Sequence, residues 1–426
     1  MNSLETLRKS AAALDQADPL SAFRDCFTNV SEVIYLDGNS LGRLPVATAE
    51  LMHQVINDQW GDRLIRGWNE HWLKTPPRIA GKIAKIVGAE EHEIFVGDST
   101  SVNLFKLAYG VLAMQTDRTQ ILSDDLNFPS DFYVMQGLIN SHFHNHQLVI
   151  HPSSDGIHAP IEALKAGITA NTALICLSHV AFKSAYMYDM AGINALAESA
   201  GAKVIWDLSH AVGAVPLKLN EWGAELAVGC TYKYLNGGPG APAFLYVKKQ
   251  LQPILENAIW AWFGHAEPFQ FELQYRPRLD IWKYAVGTPP ILSMAAIEPG
   301  LDLLVGAGMD NIRQKSLSMS TFFYKAFQQL LEPAGFVWAS PISEQHRGSH
   351  IALRHPEGYR ICQALIHPMD GAKPVIPDFR RPDNIRLGFA PLYNTHTEIL
   401  QAAERMAEII RTKAYLNYNP VMETVT

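Results

Sequence analysis

Two residues of opposite charge, Asp207 and Lys233, each follow a short apolar run. Val204-Ile205-Trp206 leads into Asp207, and Leu226-Ala227-Val228-Gly229-Cys230 leads through Thr231 and Tyr232 to Lys233. Runs this short and β-branched read as buried strands, and in a parallel sheet ligands bind at the carboxyl ends of the strands. An acid and an amine delivered there could face one crevice. Such a pair also has a plain structural explanation, since lysines and aspartates commonly cap strands or pair at the surface. The setting of Lys233 argues for chemistry: Tyr232 and Tyr234 flank it, and Gly237, Gly238 and Gly240 follow. Glycines let the backbone turn sharply and pass close to something. An ammonium in an apolar site loses its proton more readily, and a neutral lysine attacks carbonyls.

Other groups could serve the same crevice. Ile94-Phe95-Val96 runs through Gly97, Asp98 and Ser99 into Thr100 and Ser101, where a helix reaching to about residue 114 begins. Free N–H groups and the positive end of the dipole make such a start a phosphate cradle, although Ser and Thr there are also ordinary caps. Phe128-Pro129-Ser130-Asp131 offers a flat ring and a hydrogen-bond acceptor after a strand, and is by itself only a turn. Ser178 ends the apolar run 173–177. His142, His144 and His146 would share one face of an extended segment, but zinc sites usually draw ligands from separate elements backed by acids, so no metal is assigned. The four cysteines form no CxxC pair and read as reduced thiols.

The elements that must position these groups follow a βαβ rhythm. Strands near 94, 121, 148, 174, 204, 226 and 243, interleaved with helical spacing, predict an α/β fold with a mainly parallel, doubly wound sheet covered on both faces. Polar helices are expected within 3–29, a helix over 46–60 and another over 190–200. Asp37 to Leu44 reads as a loop before the helix that follows Pro45. Trp60, Trp68 and Trp72 read as core or interface anchors, and the aromatic stretch 252–290 needs covering. Beyond residue 290, helices with strands near 351 and 386 suggest a smaller α+β domain. A chain of 426 residues exceeds one core. The expected division is 1–60 as an N-terminal segment packing with the small domain at the site's mouth, 61–290 as the large domain and 291–426 as the small one.

Composition bounds the partners. With 48% hydrophobic and 18% charged residues the chain is globular, and its net charge of -7 argues against nucleic acid or an anionic membrane surface. The N-terminus lacks a signal-peptide core, and no stretch approaches the ~18–20 apolar residues of a membrane span, which predicts a cytoplasmic protein acting on a small molecule.

Taken together, Asp207-Leu208-Ser209-His210-Ala211, the run Cys230 to Gly240, Tyr35 to Gly42, Phe128 to Asp131, and Asn384 to Asn394 with Arg386 resemble the kynureninases. These are pyridoxal phosphate (PLP) enzymes of the fold type I, aminotransferase-like superfamily, and the resemblance covers nearly the whole chain in register. It implies hydrolysis of L-kynurenine to anthranilate and L-alanine. Lys233 would anchor the cofactor aldehyde and shuttle a substrate proton, Asp207 would keep the ring nitrogen protonated, and His210 would lie against the cofactor. Thr100, Ser101 and Tyr232 would meet the phosphate, with Tyr232 also a candidate proton carrier. Trp262 and Thr288 would complete the neighbouring subunit's phosphate site in a homodimer. Phe128, Asp131 and Ser178 match further cofactor contacts. Arg386 would take the substrate carboxylate in a fork that lysine fills poorly, with Trp68 and Asn39 beside the substrate. Trp68, Gly287 and Thr288 resemble the bacterial pattern, which implies preference for L-kynurenine over 3-hydroxykynurenine. A cysteine desulfurase or class V aminotransferase of the same fold is the rival reading, against which no cysteine sits on an evident glycine-rich loop. A non-catalytic relative is disfavoured by Lys233, Asp207 and Arg386 occurring together. The role in tryptophan breakdown or in NAD synthesis is left open.

Overall fold

A computed structural model describes residues 3–422. Its largest sheet has seven strands: β2 (Ile94–Val96), β3 (Gln120–Asp124), β4 (Gln147–His151), β5 (Thr172–Ser178), β6 (Lys203–Asp207), β7 (Leu226–Gly229) and β8 (Phe244–Val247), after a short β1 (Ile34–Tyr35) elsewhere. The order is β2-β8-β7-β6-β5-β3-β4. Strands β3 to β7 are mutually parallel, while β8 runs antiparallel to both β7 and β2. Every residue of β5 is buried, as a strand covered on both faces requires. Along it Leu174 and Cys176 join one core and Ile175 and Leu177 the other, the period of two that lets one strand hold two layers together.

The helix Thr100–Met114 contributes Leu104, Leu107 and Val111 to one layer; Thr75–Val87, Met190–Ala200 and Glu298–Ala307 supply Ile83, Ile193 and Leu301 to the other. A separate core lies under the four-stranded antiparallel sheet formed by β9 (Val337–Trp338), β10 (His350–Arg354), β12 (Asp378–Arg380) and β13 (Asn384–Gly388), in the order β12-β13-β10-β9. The remaining strand, β11 (Val375–Ile376), pairs in parallel with β1. Leu7, Ala11, Ile34 and Leu36 belong to this second core, whereas Leu20 and Phe27 belong to the first, so the amino-terminal segment stitches the two together. Among the described residues no single helix is long and apolar enough to cross a membrane.

Two expectations need correction. The helix predicted over 46–60 is α-helical only over Val46–Gln54 and widens to π-type winding over Val55–Asp62, where Val55 alone is buried and packing does not hold the α register. His142, His144 and His146 are not on an extended segment. The carbonyl of Leu138 accepts from both His142 and Phe143 N–H, closing the helix Pro129–Ser141 into a turn before β4. There the rings of His142 and His146 pack edge-on against Tyr109 and Phe143 at 5.5 and 5.4 Å.

Candidate active site

Lys233 and Asp207 open into one cavity, of about 430 Å³, at the carboxyl ends of the parallel strands. Asp207 is the last residue of β6, and its Oδ1 accepts the Ser209 N–H at 2.8 Å. That Asx-type turn sends the chain on to His210. The lysine turn is fixed at both ends: Thr231 Oγ1 donates to the Pro242 carbonyl at 2.7 Å, and Asn236 N–H to the Lys233 carbonyl at 2.9 Å, with Asn236 held at φ 57°. From the amino-terminal segment, Gly42 N–H donates to the Tyr232 carbonyl at 2.8 Å. A Cβ at position 42 would lie 2.2 Å from the Lys233 carbonyl oxygen, so only glycine fits this contact.

The reactive groups converge. Lys233 Nζ lies 3.0 Å from His210 Nε2 and 6.0 Å from the centroid of the Phe128 ring. Burial, helped by the charge on Lys233, holds His210 well below the usual histidine range, so its imidazole is neutral. Burial raises Asp207, and burial with Asp207 as neighbour raises Asp131 further, while Lys233 opposes both rises. Asp131 is 3% exposed and its Oδ2 has no hydrogen-bond partner. Two buried acids, one with an unused oxygen, form a receptor for a cationic N–H donor, and a protonated pyridine nitrogen is such a donor.

At the other end of the cavity Ser99 caps the helix Thr100–Met114, its side chain accepting the Val102 N–H at 3.3 Å. With the cap supplied by Ser99, Thr100 and Ser101 fall in the first helical turn and line the cavity with their hydroxyls uncommitted to capping. Ser101 Oγ lies 2.8 Å from Ser130 Oγ. Asp98, at φ 53°, would oppose an anion here, but its Oδ2 accepts from Lys106 Nζ at 2.5 Å. Lys106 is wholly buried and also donates to the Tyr284 carbonyl at 2.7 Å. An amine anchor, an acid pair, an aromatic face and a helix start thus fit PLP in one cavity.

The cavity wall includes Thr100, Ser101, Phe128, Asp131, Asp207, His210, Tyr232 and Lys233, and five other expected residues stand outside it, with Asn39 a sixth. Ser178 Oγ donates to Asn127 Oδ1 at 2.5 Å and so acts behind Phe128. Arg386 is 1% exposed, and its guanidinium is engaged by Asp378, by the Phe182 carbonyl at 2.6 Å and by Ser40 Oγ at 3.0 Å. Asn39 is fully buried with neither amide atom partnered, beneath Gly388, where a Cβ would come within 2.0 Å of its Oδ1. Trp68 packs edge-on against Trp72 at 5.3 Å. Trp262 is 41% exposed, and Thr288 is exposed.

Sequence reasoning missed Ser130 and Ser209, which line the cavity from within motifs already singled out. It also missed His350, fully buried with its ring 5.5 Å from that of His210 and neither nitrogen partnered. Nothing in His350-Ile351-Ala352-Leu353 signals that placement, because the contact joins the start of β10 to the turn after β6, far apart in the chain.

Comparison with known proteins adds independent findings. A family profile described as the kynureninase C-terminal domain matches residues 312–406. The chain is 40% identical to a kynureninase of Pseudomonas fluorescens over 415 residues, covering 96% of this chain and 97% of that one. It is 39% identical to a kynureninase of Burkholderia pseudomallei (strain K96243) over 413 residues, 96% of each. Among solved structures, a cysteine desulfurase of Thermococcus onnurineus NA1 aligns with a TM-score of 0.79 at 15% identity, covering 92% of this chain and 98% of that one. A C-DES mutant with glycine covalently linked to its PLP cofactor aligns with a TM-score of 0.77 at 16% identity, covering 90% and 99%. At such identities the structural likeness establishes the fold alone.

Proposed function

Because the chain belongs to the kynureninase family, PLP-dependent hydrolases that cleave L-kynurenine to anthranilate and L-alanine, we propose a division of labour among its residues for that reaction. Bound PLP supplies an electron sink for the electrons of the breaking carbon–carbon bond. Lys233 Nζ holds the cofactor aldehyde and carries the proton at the substrate Cα. His210, neutral and 3.0 Å away, accepts a hydrogen bond from that amine and fixes its position. Asp207 keeps the proton on the ring nitrogen, and Asp131, braced through Asn127 by Ser178, supports it. Phe128 bounds the ring face. The first turn at Thr100 and Ser101 receives the phosphate with its N–H groups and hydroxyls.

Tyr232 keeps its proton, since burial raises the phenol far above neutral pH. It therefore acts as a donor, to the phosphate or to the substrate carbonyl oxygen. Arg386 takes the substrate carboxylate by exchanging Ser40 for it at Nη2, while Asp378 stays on the Nε–Nη2 edge of the guanidinium. Asn39 and Trp68 belong to the substrate side of the site. Trp262, with the exposed Phe269 and Phe271 around it, and Thr288 reach the phosphate site of a second subunit in a homodimer, which would also cover this apolar surface. The protein works in the cytoplasm, as two domains with the amino-terminal segment at the mouth of the site, and prefers L-kynurenine to its 3-hydroxy derivative.

The single observation that carries the reading is the shared cavity of Lys233 and Asp207, with His210 in contact with the amine. Incubating the purified protein with PLP and L-kynurenine should release fluorescent anthranilate and alanine in equal amounts, and no anthranilate would overturn it. A higher kcat/KM for 3-hydroxykynurenine would reverse the stated preference.

A further inference from the structure

A second cavity, of about 480 Å³, lies where the large sheet meets the smaller core and shares no lining residue with the first. Its volume falls within the ~300–1,000 Å³ usual for small-ligand sites. Tyr188, Met190 and Trp222 wall it from one side, Arg313 and His346 from the other, and His179 sits in its lining.

Two polar groups there are left with unused capacity. His179 is 2% exposed, yet its Nδ1 has no hydrogen-bond partner. Burial lowers its pKa to about 4, so it presents a neutral imidazole. Arg313 donates to the backbone carbonyls of Glu344 and Arg347 at 2.7 and 2.8 Å and makes no ion pair among the described residues. A guanidinium satisfied only by carbonyls retains its charge for an anion. Asp189 also lines the cavity, where its Oδ1 caps the helix Met190–Ala200 through the Gly192 N–H at 3.0 Å. One cation beside one acid favours a monoanion that carries a donor over a dianion such as phosphate.

We propose that this cavity is a second ligand site, taking a small aromatic carboxylate whose anion meets Arg313, whose ring lies against Trp222 and whose polar substituent reaches His179. The site is tied to the first one. His179 N–H donates to the Asp207 carbonyl at 2.9 Å, and its ring stands edge-on to Trp206 at 5.9 Å. The opposite wall is tied to the large unit too, because the ring of His346 stacks on Tyr186 at 5.5 Å and its carbonyl accepts the Met187 N–H at 2.9 Å. An occupant therefore bears on the strand end that presents Asp207 and clamps the two cores together. Anthranilate, an aromatic monoanion with an amino donor, is the natural probe, a choice that rests on the reaction assigned above.

The test is equilibrium binding of anthranilate to the PLP-loaded protein, paired with inhibition of L-kynurenine turnover. The expected result is two anthranilates per chain and inhibition that is not purely competitive. Ala191→Phe, which fills the cavity from the first turn of its helix without removing a side-chain hydrogen bond, and Arg313→Gln should each weaken the second equivalent at least about tenfold (~1.4 kcal/mol) while leaving kcat without anthranilate unchanged. Should Arg313→Gln unfold the 344–348 turn, Ala191→Phe still decides. One equivalent per chain, or a second one that Ala191→Phe leaves intact, overturns the proposal. Normal turnover with a single equivalent removes only this site, whereas absent turnover removes the reaction, so the two readings fail separately.

Discussion

The two halves of the candidate active site are built differently. The cofactor half, with Asp207, His210, Tyr232, Lys233 and the start of the helix Thr100–Met114, comes from strand ends of one sheet and lines one cavity within a single chain. The proposed substrate half would draw on Asn39, Trp68 and Arg386, from the amino-terminal loop, the aromatic segment after it and a strand of the small sheet, and none of the three lines that cavity. Asp207 ends one buried strand and Arg386 lies within another, so both halves are anchored in sheet; the difference is that the Arg386 guanidinium is already met by Asp378, the Phe182 carbonyl and Ser40. On the proposed roles, the cofactor groups already share one cavity, whereas the substrate groups would have to be brought to it.

Substitutions can break that contrast. Lys233→Ala should cut kcat by at least about 10⁴-fold with folding retained, measured as anthranilate release alongside thermal unfolding, since it removes both the anchor and the proton carrier. Asp207→Asn should lower kcat by about 10²- to 10³-fold with little change in KM; a change confined to KM would place Asp207 in the recognition half instead. Arg386→Lys should act in the opposite sense, reducing kcat/KM by roughly 10- to 100-fold mainly through KM, because a charged hydrogen bond contributes about 1.5–3 kcal/mol. Thr100→Ala should weaken PLP by roughly 10- to 100-fold, since a hydrogen bond to the charged phosphate contributes about 1.5–3 kcal/mol, and leave KM for L-kynurenine alone.

A pH experiment sharpens the comparison at its weak side. Burial, ahead of the charge of Asp378, raises the Asp37 carboxyl from 3.8 to about 7. A folded state that keeps a proton the unfolded chain releases is favoured at low pH. This contribution therefore declines as pH rises from about 4 to about 7 and then levels off. Asp37→Asn should flatten the dependence of Tm on pH across that window, and an unchanged slope would remove Asp37 from the account.

Much of the cofactor half was legible because its signals are local. Short apolar runs end in Asp207 and ahead of Lys233, and the helix start after Val96 reads directly from residue types. The cap was less legible, since Ser99, Thr100 and Ser101 are chemically interchangeable there and only the fold selects Ser99. By residue type alone Asp37 to Leu44 reads as a loop, and only the family resemblance marks it, because its significance is tertiary: Gly42 matters for where Lys233 lies, 191 positions later. The His142 to His146 segment was misread because alternation suggested a strand where the preceding helix closes on its own carbonyl. For Arg386 the residue type suggested a carboxylate partner, but its commitment to Asp378 and the Phe182 carbonyl depends on contacts far apart in the chain.

The hydrogen bond from Gly42 to the Tyr232 carbonyl reaches beyond local packing. Ile34 and Leu36 are rooted in the small core beside β1, and a few positions later the same stretch of polypeptide grips the peptide next to the reactive amine. A swing of the small lobe toward the sheet would tug on that grip. Any displacement of the small core relative to the sheet would thus be felt at the peptide beside Lys233, and a substrate that bridged the two would bear on the angle of the group that acts on it.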